Sequence, residues 1–117
     1  MKYNNITLAQ RWYTRGVPLY ITATYQVKPD SVQRVKAAID KFTHYVKENE
    51  PGTQLYLAWQ DKNDLTKFIH FFIFADEKAQ EIHSNSDAVK QFESIYSPGL
   101  VNGLVLFTHF TSVASNI

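Results

Sequence analysis

The 117 residues, 44% hydrophobic and 15% aromatic, suffice for one compact core and are too few for two domains. Twelve Lys and Arg against eleven Asp and Glu leave a formal charge of +1, too weak a field to gather nucleic acid or an anionic membrane surface. The absence of cysteine excludes a disulfide framework, a thiolate zinc site and a cysteine nucleophile.

Residues 1–17 read as an N-terminal extension and 18–114 as a single folded domain. The opening MKYNNITLAQRWYTRG lacks the apolar run of a signal peptide or membrane span, so a soluble cytoplasmic protein is expected. Within it, RWYTR (11–15) reads as an ordered surface extension. PLYITATYQV (18–27), rich in β-branched and aromatic residues, reads as a strand that stops at Pro29. Val32, Val35, Ile39, Phe42 and Val46 recur at helical steps, with Asp30 or Ser31 as the expected cap and EPG (50–52) as the stop. TQLYLAWQ (53–60) and TKFIHFFIFA (66–75) read as a hairpin joined by DKNDL. Residues 77–97 read as an interrupted helix that restarts with Ser86 as a cap, closed by SPG (97–99) and NG (102–103). LVLFTHFTSV (104–113) supplies the last strand. The order is βαββαβ, an α+β ferredoxin-like chain with an antiparallel four-stranded sheet and its helices on one face.

FIHFFIF and LVLFTHF are apolar at consecutive positions, so both faces of the sheet call for cover. Helices on one face leave the other to a second copy, and a homodimer is expected. RNA-recognition domains share this element order, but KFIHFFIF (67–74) matches their octamer only at Lys67, Phe71 and Phe74. No nucleic-acid partner is expected.

The run ENEPGTQLYLAWQDKNDLTKFIHFFIFADEKAQEIHSNSDAVKQF (48–92) resembles the antibiotic biosynthesis monooxygenase family. The matching features are EPG, Tyr56, Asp76, Ala79, and His83, Ser86 and Phe92 in an H-x-x-S-x-x-x-x-x-F frame. The resemblance covers residues 18–114 and implies a dimeric α+β barrel. It also implies a cofactor-independent oxidation of a small aromatic, a quinol or polyphenol, by molecular oxygen. Phe72 and Ala88 stand where many members carry a glutamate and a second histidine. The haem-degrading branch uses an asparagine on the first strand, a tryptophan near the place of His83 and a histidine at the place of Glu93. This chain has none of them.

Such a reaction needs a dry apolar cavity and a group that ionises or hydrogen-bonds the phenol. His83 is the candidate base, because imidazole titrates near neutral pH. Tyr20, Thr22, Tyr56, Trp59, His70, Phe72, Phe74 and Phe92 are the candidate substrate-binding residues. Thr22, Thr24 and Gln26 form a polar face of the first strand that could meet a ligand. His70 and His109, inside apolar strands, are read as buried imidazoles with hydrogen-bond partners, and His44 as solvated. No two histidines are spaced as a ligand pair, so neither a metal nor another cofactor is expected. The alternative is a non-catalytic dimer of the same fold that binds a small ligand.

Overall fold

The computed structural model describes residues 17–117. The N-terminal extension, RWYTR included, therefore lies outside the described residues apart from Val17. The chain runs β1 (Leu19–Val27), a 3₁₀ turn (Pro29–Ser31), α1 (Val32–Asn49), β2 (Thr53–Gln60) and β3 (Lys67–Phe74). It continues through α2 (Glu77–Ser84), α3 (Asp87–Tyr96), a second 3₁₀ turn (Ser97–Gly99) and β4 (Leu100–Phe110). The sheet order is β2-β3-β1-β4 with every neighbouring pair antiparallel, the α+β ferredoxin-like arrangement.

Helix α1 buries Val32, Val35, Phe42 and Val46 as their spacing predicts, but Ala38 takes the fifth core position and Ile39, expected there, is only partly buried. Its start differs from expectation, since neither Asp30 nor Ser31 caps it through a side chain. The Ser31 hydroxyl instead accepts from Arg34 Nη2 at 3.1 Å. The break between α2 and α3 does follow the cap expected at Ser86, and Asp76 caps α2 as well. Asp76 Oδ1 accepts from the Ala79 N–H at 2.9 Å, and Ser86 Oγ accepts from the Val89 N–H at 3.0 Å. The hairpin loop is held by Asp61, whose Oδ1 accepts from the amides of Asn63 and Asp64.

The last strand begins at Leu100, four residues before the expected start, and ends at Phe110 rather than residue 113. Asn102 and Gly103 both have positive φ, 59° and 61°, so the NG pair turns locally. That turn makes a bulge inside the strand: Val27 pairs with Leu100, and Tyr25 already with Val105. The far end stops at Phe110 because its partner Tyr20 lies one residue from the start of β1.

Strand periodicity sorts the side chains onto two faces. Ile21, Ala23, Tyr25 and Val27 of β1 face the helices, as do Phe68, His70, Phe72 and Phe74 of β3, and all are buried. Tyr20, Thr22, Thr24 and Gln26 lie on the opposite face, together with Leu57, Trp59, Ile69, Phe71, Leu106 and Phe110. Among the described residues no helix is long and apolar enough to cross a membrane.

Candidate active site

A cavity of about 380 Å³ lies between the helices and the sheet. Its wall includes Tyr25, Tyr56, His70, Phe72, Phe74, His83 and Phe92, and its open side reaches Phe107 and His109 on β4. Phe107 is 56% exposed although it points to the helix side, so the helices leave the β4 flank of the cavity uncovered.

His83 reaches this cavity from the last turn of α2, one turn beyond Ala79 on the same helix face. Ala79 in turn packs against the turn that follows α1. A Cβ on Gly52 would stand 2.7 Å from Ala79 Cβ, so glycine permits this approach. The turn carries Glu50, and the consequence is a short contact: His83 Nδ1 lies 2.8 Å from Glu50 Oε1, with His83 7% and Glu50 4% exposed. The Thr53 hydroxyl donates to the same oxygen at 2.8 Å, whereas Glu50 Oε2 is buried with no partner among the described residues. With Nδ1–H donating to the carboxylate, the imidazole lone pair sits on Nε2, which has no hydrogen-bond partner among the described residues. The ring is packed among Phe74, Phe42, Tyr56 and Phe72 at centroid distances of 5.1, 5.4, 5.9 and 6.0 Å.

A second polar group crosses the same wall. Tyr25 Oη lies 2.7 Å from His70 Nε2, and Tyr56 Oη lies 2.8 Å from His70 Nδ1. His70 is only 2% exposed, and burial pulls its pKa down to about 4, so it is neutral near pH 7. Burial, with a smaller contribution from Tyr96, pushes the Tyr25 phenol up. Tyr56 is also raised, by burial first and then by Tyr25, Tyr96 and Glu50. Tyr96, raised by burial and by Glu93, reaches about 12. All three phenols therefore keep their protons at neutral pH and remain donors.

Of the residues singled out from sequence, His83, Tyr56, His70, Phe72, Phe74 and Phe92 are brought together in this cavity. Tyr20, Thr22 and Trp59 are not. They occupy alternate strand positions and lie on the opposite face, where Trp59 is 57% exposed and packs on Phe71 at 4.8 Å. The polar wall expected from Thr22, Thr24 and Gln26 faces the same way, and the Gln26 amide donates to Thr66 Oγ1. On that face Thr24, Gln26, Trp59, Ile69, Leu104 and Leu106 line a shallower trough of about 610 Å³. His109 is exposed at the cavity rim, and His44 is exposed with Nδ1 2.8 Å from the Asp40 carbonyl oxygen. Sequence reasoning missed Glu50 and Tyr25. Glu50 had a signal, a carboxylate directly before PG at a helix stop, although nothing local says that it turns inward.

Comparisons with known proteins bear on this geometry. Among solved structures, a candidate antibiotic biosynthesis monooxygenase from Caulobacter crescentus CB15 superposes with a TM-score of 0.78 at 19% identity, covering 91% of this chain and 99% of that one. A candidate of the same description from Bacteroides thetaiotaomicron gives 0.80 at 15% identity, with 86% and 94% covered. Rv0793 from Mycobacterium tuberculosis gives 0.75 at 16% identity, with 86% and 99% covered. At these identities the likeness establishes the fold. A comparison with curated protein sequences finds no match. The family model described as antibiotic biosynthesis monooxygenase matches residues 18–94, most of the chain and the whole stretch that builds the His83 side of the cavity. The chain therefore belongs to the antibiotic biosynthesis monooxygenase family.

Proposed function

We propose that the protein is a monooxygenase that oxidises a small phenolic aromatic, a quinol or polyphenol, with molecular oxygen and no bound cofactor. The observation that supports this best is His83, a buried imidazole whose Nδ1 is held by Glu50 while Nε2 has no hydrogen-bond partner among the described residues. Nε2 takes the phenolic proton, and the resulting phenolate is electron-rich enough to react with oxygen. The ring loses two hydrogens and gains one oxygen atom to become a quinone. The second oxygen atom leaves as water with those two hydrogens, so the substrate supplies all the electrons. Phe42, Phe72, Phe74 and Phe92 supply the apolar wall that orients the ring and keeps bulk water from the intermediate.

The working unit in this reading is a homodimer. Trp59, Leu104, Leu106 and Phe110 are exposed on the sheet face away from the helices, an apolar surface that a second copy would cover. The neighbouring strands would then close a barrel between two sheets. A soluble cytoplasmic dimer acting on a small molecule is consistent with the near-neutral charge.

One observation favours a second reading, a dimer that binds a small ligand without turning it over. Phe72 is part of the cavity wall, stacked on Tyr56 at 5.2 Å, where many members carry a polar group. Oxygen uptake over a panel of quinols and polyphenols separates the two, with wild type and His83→Ala assayed alongside their melting temperatures. The proposal expects His83→Ala to lower turnover by about two to four orders of magnitude. Unchanged turnover with a lowered melting temperature would show that His83 is only a packing residue.

A further inference from the structure

The chain Tyr25–His70–Tyr56 has a proton inventory that does not close on itself. Two phenols and one neutral imidazole hold three O–H and N–H protons between them. The two hydrogen bonds, Tyr25 Oη to Nε2 and Tyr56 Oη to Nδ1, consume two. One phenolic O–H is therefore left over in an aromatic-walled cavity, and neither hydroxyl has another partner among the described residues.

Packing decides which end holds it. Tyr25 is sandwiched between Phe68 and Tyr96 at 5.6 and 5.5 Å, deep in one core cluster. Tyr56 stands where the two core clusters meet, edge-on to Phe42 and 5.9 Å from the His83 ring. A buried donor with no acceptor is costly, and the cavity beside His83 is where a ligand atom can relieve that cost. We propose that Tyr56 is a hydrogen-bond donor to an acceptor oxygen of the aromatic ligand, a carbonyl or an oxyanion, and that His70 and Tyr25 aim it. The bond order is Tyr25 O–H to His70 Nε2, His70 Nδ1–H to Tyr56 Oη, and Tyr56 O–H to the ligand. His70 and Tyr25 are positioning residues in this chain.

This assignment rests on the cavity being the ligand site, and it adds a requirement. The ligand presents one acidic O–H to His83 and one acceptor oxygen to Tyr56. A carbonyl probe isolates the second interaction, because it offers nothing for His83 to deprotonate. We expect 1-indanone, ¹³C-labelled at its carbonyl, to bind wild type with a carbonyl stretch lowered from its value in Tyr56→Phe. Tyr56→Phe should weaken binding roughly tenfold, the factor that one hydrogen bond of ordinary strength gives. In the unliganded protein, ¹⁵N NMR should show His70 with its single proton on Nδ1 between pH 5 and 8. That readout stands whether or not the variants fold. A proton on Nε2, or equal affinity and carbonyl frequency in wild type and Tyr56→Phe, would overturn the donor assignment. Wild type that takes up 2-naphthol but not 1-indanone would also overturn it and would leave the His83 site standing. Uptake of neither would remove the cavity as ligand site and the assignment with it.

Discussion

The two faces of the sheet are built from neighbouring residues of similar chemistry and come to opposite ends. On one face Tyr25, Tyr56, His70 and Phe72 are drawn under the helices, and their polar atoms find one another. On the other, Trp59, Leu104, Leu106 and Phe110 stand exposed. A strand alternates its side chains with a period of two, so adjacent aromatics such as Phe71 and Phe72 belong to different environments. Aromatic content alone does not mark a site. What marks the helix face is that its few polar groups are buried and constrained.

Truncating those two adjacent phenylalanines separates the faces by their energetics. Phe72→Ala should cost about 3–5 kcal/mol in urea unfolding, the range for emptying a buried aromatic position. Phe71→Ala, half-buried on the other face, should cost about 1 kcal/mol or less in the monomer, where surface-facing changes are small. Equal costs would mean that the two faces are equally closed in the free subunit.

A pH comparison tests the buried chain. His70 holds a folded pKa of about 4 against 6.5 in the unfolded state, so below pH 6.5 the unfolded chain takes up a proton that the native protein does not. Its contribution to stability is complete above about pH 6.5 and lost as pH falls toward 4, about 2–3 kcal/mol between pH 7 and 4.5. Unfolding measured at both pH values should show that much less acid sensitivity in His70→Gln than in wild type. Identical sensitivity would place the imidazole in water.

On the opposite face, Leu106→Asp should weaken self-association by about 100-fold in sedimentation, since a charge would be desolvated against an apolar partner surface. A clean wild-type monomer at micromolar concentration would remove the dimer. The smallest effect is expected at Gly52→Ala, where the added methyl meets Ala79 and should cost about 1–2 kcal/mol. Because that contact sets the distance between the Glu50 turn and α2, the variant should also perturb the His83 ring signals in NMR.

The order of elements was legible because the spacing of apolar residues and the cap at Ser86 agreed with the packing that formed. The start of β4 was not, since NG reads as a turn and here that turn sits inside a strand as a bulge. Half of the site was legible for the same reason that half was not. A histidine between two helical pieces, Tyr56 and the β3 aromatics could be named, but choosing among them requires strand parity. Thr22 and Trp59 fail on parity alone. Glu50 was hidden because its partner lies 33 residues away, and no local pattern reports a contact of that range.

In the proposed function, ligands bind on the helix face, against His83 and Tyr56, and not in the trough by Trp59. Intermolecular nuclear Overhauser effects from bound 2-naphthol test it most directly. Contacts are expected from the naphthol ring to the side chains of His83, Phe72 and Phe92. Contacts to Trp59, Ile69 and Leu104 instead would contradict it.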